Sequence, residues 1–172
     1  VISGIGFISG VRCMVVDDDS GINAGAIMTG GGYRISRSQE IALQQKLPFV
    51  HLVESAGGDL MNYTVEGFSE GGRLFGSLAK LSKAGIPVIS ILHGSSTAGG
   101  AYMPGLSDYV IGVKGRGRAF FSWTSIAFSC NRRDSDRRRA RRCRDALKCI
   151  RFSRLSSGCL LYTSPSPRDL WI

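Results

Sequence analysis

Apolar residues in this chain gather in short runs separated by polar and glycine-rich stretches, and each run carries its own period. Gly10-Val-Arg-Cys-Met-Val-Val16 is rich in β-formers and is stopped by Asp17-Asp18-Asp19-Ser20-Gly21, a set of turn residues, so it predicts a strand and a turn. Ser36 to Gln45 predicts a helix closed by Pro48, with Ile41 and Ala42 on one side, and Phe49-Val-His-Leu-Val53 predicts a buried strand. From Gly71 to Ala84, Leu74, Phe75, Leu78 and Leu81 recur at helical spacing on one face, with Lys80 and Lys83 near the end. Gly85 follows as a C′ residue and Pro87 prevents continuation. Val88 to His93 predicts a strand, Gly99 to Pro104 a helix, and Tyr109 to Gly112 a further strand. The order β-β-α-β-loop-α-β-α-β implies an α/β fold with largely parallel pairing, whose strands are apolar throughout because both faces are covered. No run approaches the roughly 18 to 20 apolar residues of a membrane helix, and Val1 to Gly10 show neither a starting Met nor a signal-peptide pattern. The chain is therefore expected to begin within a longer protein.

Composition divides the chain. Its formal charge of +9 over 172 residues would suggest an anionic partner if it were spread evenly. Up to Arg118, however, ten Lys or Arg face nine Asp or Glu, whereas Ala119 to Ile172 hold twelve basic and four acidic residues. The first segment also has 22 of the 23 Gly, and the second has four of the five Cys, Cys130, Cys143, Cys149 and Cys159. These cysteines match no zinc module. The run Asp17 to Asp19 lacks the alternating ligand spacing of a calcium loop and is expected to be a solvated turn, so no metal is expected. His51 is expected to be a packed residue, since the sequence places no Asp or Ser partner beside it.

The chemistry concentrates in two similar turns. Leu52-Val-Glu-Ser-Ala-Gly-Gly-Asp59 and Leu92-His-Gly-Ser-Ser-Thr-Ala-Gly-Gly-Ala101 each place small residues after a strand, leaving backbone N–H groups unobstructed by Cβ atoms. The second turn also opens a helix, whose first N–H groups favour negative charge. Two such turns converging would make an oxyanion hole; a glycine pair alone can equally serve close packing of helix on strand. Neither turn has a phosphate-loop or dinucleotide pattern. Ser95, Ser96 and Thr97 lack a nucleophile elbow and are expected to cap and turn the chain. Donors without a nucleophile suit chemistry in which the protein stabilises an anion while substrates or a cofactor make the bonds.

Glu54-Ser-Ala-Gly-Gly-Asp-Leu60, Gly72-Arg-Leu-Phe75, Ala84-Gly-Ile-Pro87 and above all His93-Gly-Ser-Ser-Thr-Ala-Gly-Gly-Ala-Tyr-Met-Pro104 with Ser107-Asp108 resemble the carboxyltransferase (beta) subunit of biotin-dependent acyl-CoA carboxylases. The likeness runs from about Ile5 to Arg118 and is strongest to the methylcrotonyl-CoA and propionyl-CoA carboxylase group. It implies a crotonase-like ββα superhelix, present as part of the N-terminal of two such domains, over residues 1–121. It also implies transfer of a carboxyl group from carboxybiotin, brought by a biotin carboxylase and biotin carrier partner, to the α-carbon of an acyl-CoA. Carried onto this sequence, the amides of Gly57, Gly58, Gly99 and Gly100 would bind the enolate or ureido oxygen, with Ala56, Ala98 and Tyr102 lining the substrate site. Ala56 stands where many relatives have Gly. The family's second domain, from a neighbouring subunit of a homo-oligomer, would supply the other half of the site, so the fragment is expected to be inactive alone. The resemblance implies a cytoplasmic or mitochondrial-matrix enzyme with neither membrane nor nucleic acid as partner.

An enoyl-CoA hydratase or isomerase on the same fold would also need a Glu acid/base, for which Glu66 and Glu70 are the nearby residues, both expected to face solvent. A basic nucleic-acid-binding protein would rest wholly on the tail. That tail departs from the family. Displaced by one base, Ser122 to Leu155 can be reread with permitted codons to contain Gly-Pro-Pro, Thr-Gly-Glu and Glu-Glu-Leu-Gly-Gly-Ala, the family's continuation, and Cys159 to Asp169 resembles a translated transposase sequencing adapter. Residues 122–172 are therefore expected to be a frameshifted and adapter-derived tail, disordered if made.

Overall fold

The computed structural model describes residues 1–59, 61, 62, 64–120 and the backbone of 155–157. It contains the strands β1 (Ile2–Ile8), β2 (Val11–Asp17), β3 (Phe49–Val53), β4 (Val88–Leu92), β5 (Ser95–Thr97), β6 (Tyr109–Val113), β7 (Arg118–Phe120) and β8 (Leu155–Ser157). The α-helices α1 (Thr29–Gln45), α2 (Val65–Lys83) and α3 (Gly99–Gly105) lie between them. The main sheet runs β1-β2-β3-β4-β6-β8, and a second sheet joins β5 to β7. Among the described residues only β1 and β2 pair antiparallel; β2 to β3, β3 to β4 and β4 to β6 are parallel, as the strand-helix alternation predicts. Leu155–Ser157, within the stretch expected to be disordered, pairs with β6, and the rest of that expectation lies outside the described residues.

The core forms where helices α1 and α2 cover one face of the sheet. Phe49, Val88, Val16 and Met14 from the strands meet Ile35 and Ala42 of α1 and Leu74, Leu78 and Leu81 of α2. The second face is covered unevenly: Val50 on β3 is buried, whereas Val15, Leu52, Ile89 and Ile91, which also alternate with the core residues, are only partly buried. The continuous apolar character of β3 and β4 thus belongs to a sheet with one face sealed and the other partly covered among the described residues.

Two helices begin earlier than local propensity suggests. The first includes Gly30, Gly31 and Gly32, residues that oppose helix, and buries Ile35 completely. Packing of that turn against the sheet outweighs the cost. The second starts at Val65 because Thr64 caps it, its Oγ1 accepting from the N–H of Gly67 at 3.0 Å. At the other end Gly85 takes φ +73°, as the C′ position requires. Ser95–Thr97, expected as a cap and turn, instead forms β5, whose partner β7 is 23 residues further on and invisible to a local pattern.

Candidate functional site

The parallel register sets where the two glycine turns emerge. Asp17 aligns with Leu52 and Leu52 with Ile91, so β2, β3 and β4 end side by side and the segments after β3 and β4 leave the sheet at the same edge. Ser55 binds them together. Its N–H donates to the Ser95 carbonyl at 3.1 Å and its carbonyl accepts from Thr97 N–H at 2.9 Å. Its buried hydroxyl donates to the Gly25 carbonyl at 2.7 Å and accepts from Gly57 N–H at 3.1 Å. Three segments distant in sequence therefore meet at one side chain.

The contact between the turns leaves no room for larger residues. Gly57 has φ +89°, and a Cβ there would lie 2.9 Å from the Thr97 carbonyl oxygen and 3.6 Å from the Gly99 nitrogen. A Cβ on Gly100 would lie 2.7 Å from the Cβ of Ser55. Between them Ala98 adopts φ 46°, ψ −117°, a conformation rare outside glycine, and is held there by its N–H bond to the Phe120 carbonyl at 2.9 Å.

The structure sorts the predicted donors into two groups. Ala56 N–H is used by the Ala24 carbonyl, Gly57 N–H by Ser55, and Ala98 N–H by Phe120. The N–H groups of Gly58, Gly99 and Gly100 have no acceptor among the described residues. Gly58 and Gly99 are neighbours across the two turns, since a Cβ on Gly99 would stand 4.0 Å from the Gly58 nitrogen. Buried Gly57 and Gly100 make the close approach, and the more accessible Gly58 and Gly99 line its outer side. Tyr102 lies half-exposed one turn along α3, its ring edge-on to Phe75 at 5.7 Å. Glu66 and Glu70 are exposed on α2.

A charged cluster behind the turns was not legible in the sequence. Asp18, expected in a solvated turn, is buried, and its Oδ2 lies 3.3 Å from Nε2 of buried His51 on β3, the carboxylate partner that the sequence did not place. The two groups are close but are not aligned as a hydrogen bond. Next to this pair, His93 sits between two carboxylates: its Nδ1 is 3.3 Å from Glu54 Oε2 and its Nε2 is 3.6 Å from Asp17 Oδ1. The parallel pairing brings these residues together from the ends of three strands. Among the described residues, no group of His, Cys, Asp and Glu is arranged to hold a metal ion.

Asp17 reports the cost of this arrangement. Burial raises its pKa above the usual value, the adjacent His93 opposes that shift and Asp18 reinforces it. A carboxyl group whose folded pKa lies above its unfolded one destabilises the fold as pH rises from the ordinary carboxylate range through the raised value. Asp17→Asn should therefore melt at a higher temperature than the parent chain at pH 7.5, and the advantage should shrink as pH falls towards 4. Thermal unfolding followed by circular dichroism across that range checks this; an advantage that is unchanged with pH contradicts it.

Comparison with known proteins gives a consistent picture. The pattern of the carboxyl transferase domain family matches residues 1–126. A Mycobacterium tuberculosis protein named "Probable biotin-dependent acyl-coenzyme A carboxylase beta2 subunit" is 40% identical over 136 residues, covering 79% of this chain and 26% of that protein. The crystal structure of the P. aeruginosa geranyl-CoA carboxylase beta subunit superposes with a TM-score of 0.65 at 50% identity, over 70% of this chain and 23% of that one. The transcarboxylase 12S crystal structure, described as a hexamer with methylmalonyl-coenzyme A and methylmalonic acid bound, gives a TM-score of 0.63 at 25% identity, over 74% of this chain and 24% of that one. The chain spans about a quarter of the length of these relatives.

Proposed function

The chain belongs to the carboxyl transferase domain family, and from that premise we propose that it forms the N-terminal part of a carboxyltransferase site that moves a carboxyl group from carboxybiotin to the α-carbon of an acyl-CoA. The observation that carries this reading is the meeting of two glycine turns with unused N–H groups at Gly58, Gly99 and Gly100. Preorganised backbone donors act on oxygen atoms where negative charge develops, and they do so without reorganising during the reaction. The enolate oxygen of a thioester and the ureido oxygen of biotin both fit this donor set. Carboxybiotin, when bound, would supply the activated carboxyl group. Gly57 contributes by its conformation, since its N–H already bonds to Ser55. Ala56, Ala98 and Tyr102 would border the acyl chain or the pantetheine arm.

The remaining half of the site, the biotin carboxylase and carrier partner, and a further copy of the subunit would lie outside these residues. On this reading the 172-residue chain is inactive alone and works as part of a longer subunit. Among the described residues no helix is long and apolar enough to cross a membrane. The hydratase alternative gains no support, because Glu66 and Glu70 are exposed on α2. The nucleic-acid alternative rests on a tail outside the described residues.

The test is transfer of labelled bicarbonate into acid-stable product by the complete subunit together with a biotin carboxylase and biotin carrier. Acetyl-CoA, propionyl-CoA, 3-methylcrotonyl-CoA and geranyl-CoA are offered in turn. Incorporation that depends on biotin, ATP and one of these thioesters is expected, and none with the 172-residue chain alone. Failure with every thioester, or hydration of an enoyl-CoA instead, would overturn the assignment.

A further inference from the structure

Nothing in the chemistry proposed above uses the side chain of His93, yet two carboxylates from different strands converge on it. Asp17 ends β2, Glu54 opens the first glycine turn and His93 opens the second, so the cluster spans three adjacent strand ends. The Glu54 side chain reaches across to the second turn by lying directly over Gly94. A Cβ at that position would be 2.0 Å from Glu54 Cδ and 2.1 Å from Oε1, so the second turn opens with the one residue that leaves Glu54 its path. The N–H groups that face one another follow shortly after these side chains, Gly99 six residues after His93 and Gly58 four residues after Glu54. The cluster lies at the root of both turns.

We propose that His93, wedged between Asp17 and Glu54, is a positioning residue that locks the two glycine turns to each other and so fixes where the Gly58, Gly99 and Gly100 N–H groups converge. This rests on the assignment of those groups as the anion-binding donors. The physical basis is the geometry of the ring. One imidazole plane has the Glu54 carboxylate 3.3 Å from Nδ1 and the Asp17 carboxylate 3.6 Å from Nε2, so a side chain on turn two touches both turn one and the end of β2. Charged contacts of this kind in a half-buried setting hold geometry more than they add stability. Asp18 and His51 bring a second buried carboxylate and imidazole within 3.3 Å of each other at the end of β2.

The inference is tested on the full 172-residue chain by following the amide signals of Gly57, Gly58, Gly99 and Gly100 with nitrogen-15 labelling. His93→Gln, on turn two, is expected to shift Gly57 and Gly58 on turn one. Glu54→Gln, on turn one, is expected to shift Gly99 and Gly100 on turn two. At each turn the double variant should shift the amides no further than the single variant on that same turn does, because either change opens the same link. Gly94→Ala displaces the Glu54 carboxylate without altering any charged residue and should give the same pattern, which keeps the test available if His93→Gln does not fold. Shifts confined to the turn that carries the substitution, or double-variant shifts equal to the sum of the single ones, would overturn the proposal. A stability change without cross-turn shifts counts against it too. The readout does not depend on carboxyl transfer, so failure of the functional assignment shows in the labelled-bicarbonate assay and not here.

Discussion

Ser55→Ala should cost about 2–4 kcal/mol of folding free energy, although it removes a single oxygen atom from a short loop. The hydroxyl donates to the Gly25 carbonyl and accepts from Gly57 N–H, and the residue is 1% exposed. Without it, a carbonyl and an N–H stay buried with no partner, and each orphaned group costs about 1–3 kcal/mol. Domains of ordinary size are stable by only about 5–15 kcal/mol, so the loss is a large share of the total. Urea denaturation of the parent chain and the variant, monitored by circular dichroism, measures it. A loss below about 0.5 kcal/mol would mean that water or a shifted backbone replaces the hydroxyl. The effect should also reach the site, because Gly57 owes part of its position to that bond.

Why Ser55 escapes a reading of the sequence is instructive. The glycine pairs at 57–58 and 99–100 stand out because small residues after a strand have a local meaning. Ser55 acts through Gly25 and Ser95, partners thirty residues before it and forty after, which only the parallel register brings together. The same holds for Asp18 with His51 and for His93 with its carboxylates: each residue is visible, but each partner belongs to another strand end. Elements with a local signature were legible, as in β3, β4 and the apolar face of α2. The strand Ser95–Thr97 was not, since three polar residues become β-structure only when Arg118–Phe120 lies alongside. The division among the glycine amides was equally hidden, because which N–H is spent and which is left free depends on the packing of one turn against the other.

That packing makes Gly100→Ala the most damaging small change expected for activity. The added Cβ would stand 2.7 Å from the Ser55 Cβ, 3.0 Å from its Oγ and 3.2 Å from its carbonyl oxygen, all in the buried seam between the turns. Contacts this short with backbone and a locked side chain cannot be relieved by rotating a side chain, so the start of α3 must move away from the first turn. The Gly99 and Gly100 N–H groups move with it. Loss of one well-placed oxyanion donor typically lowers kcat about 10²–10³-fold, and a drop of that size is expected for carboxyl transfer by the complete subunit. Because these donors act on charge that develops in the reaction, KM for the acyl-CoA should change much less than kcat. A loss carried wholly by KM would instead make the seam a ground-state binding element. Ser55→Gly combined with Gly100→Ala supplies the internal check, since it removes the Cβ that the new methyl meets. Partial recovery of kcat in the double variant, despite the further loss of the Ser55 hydroxyl, is the result that separates displaced donors from general unfolding.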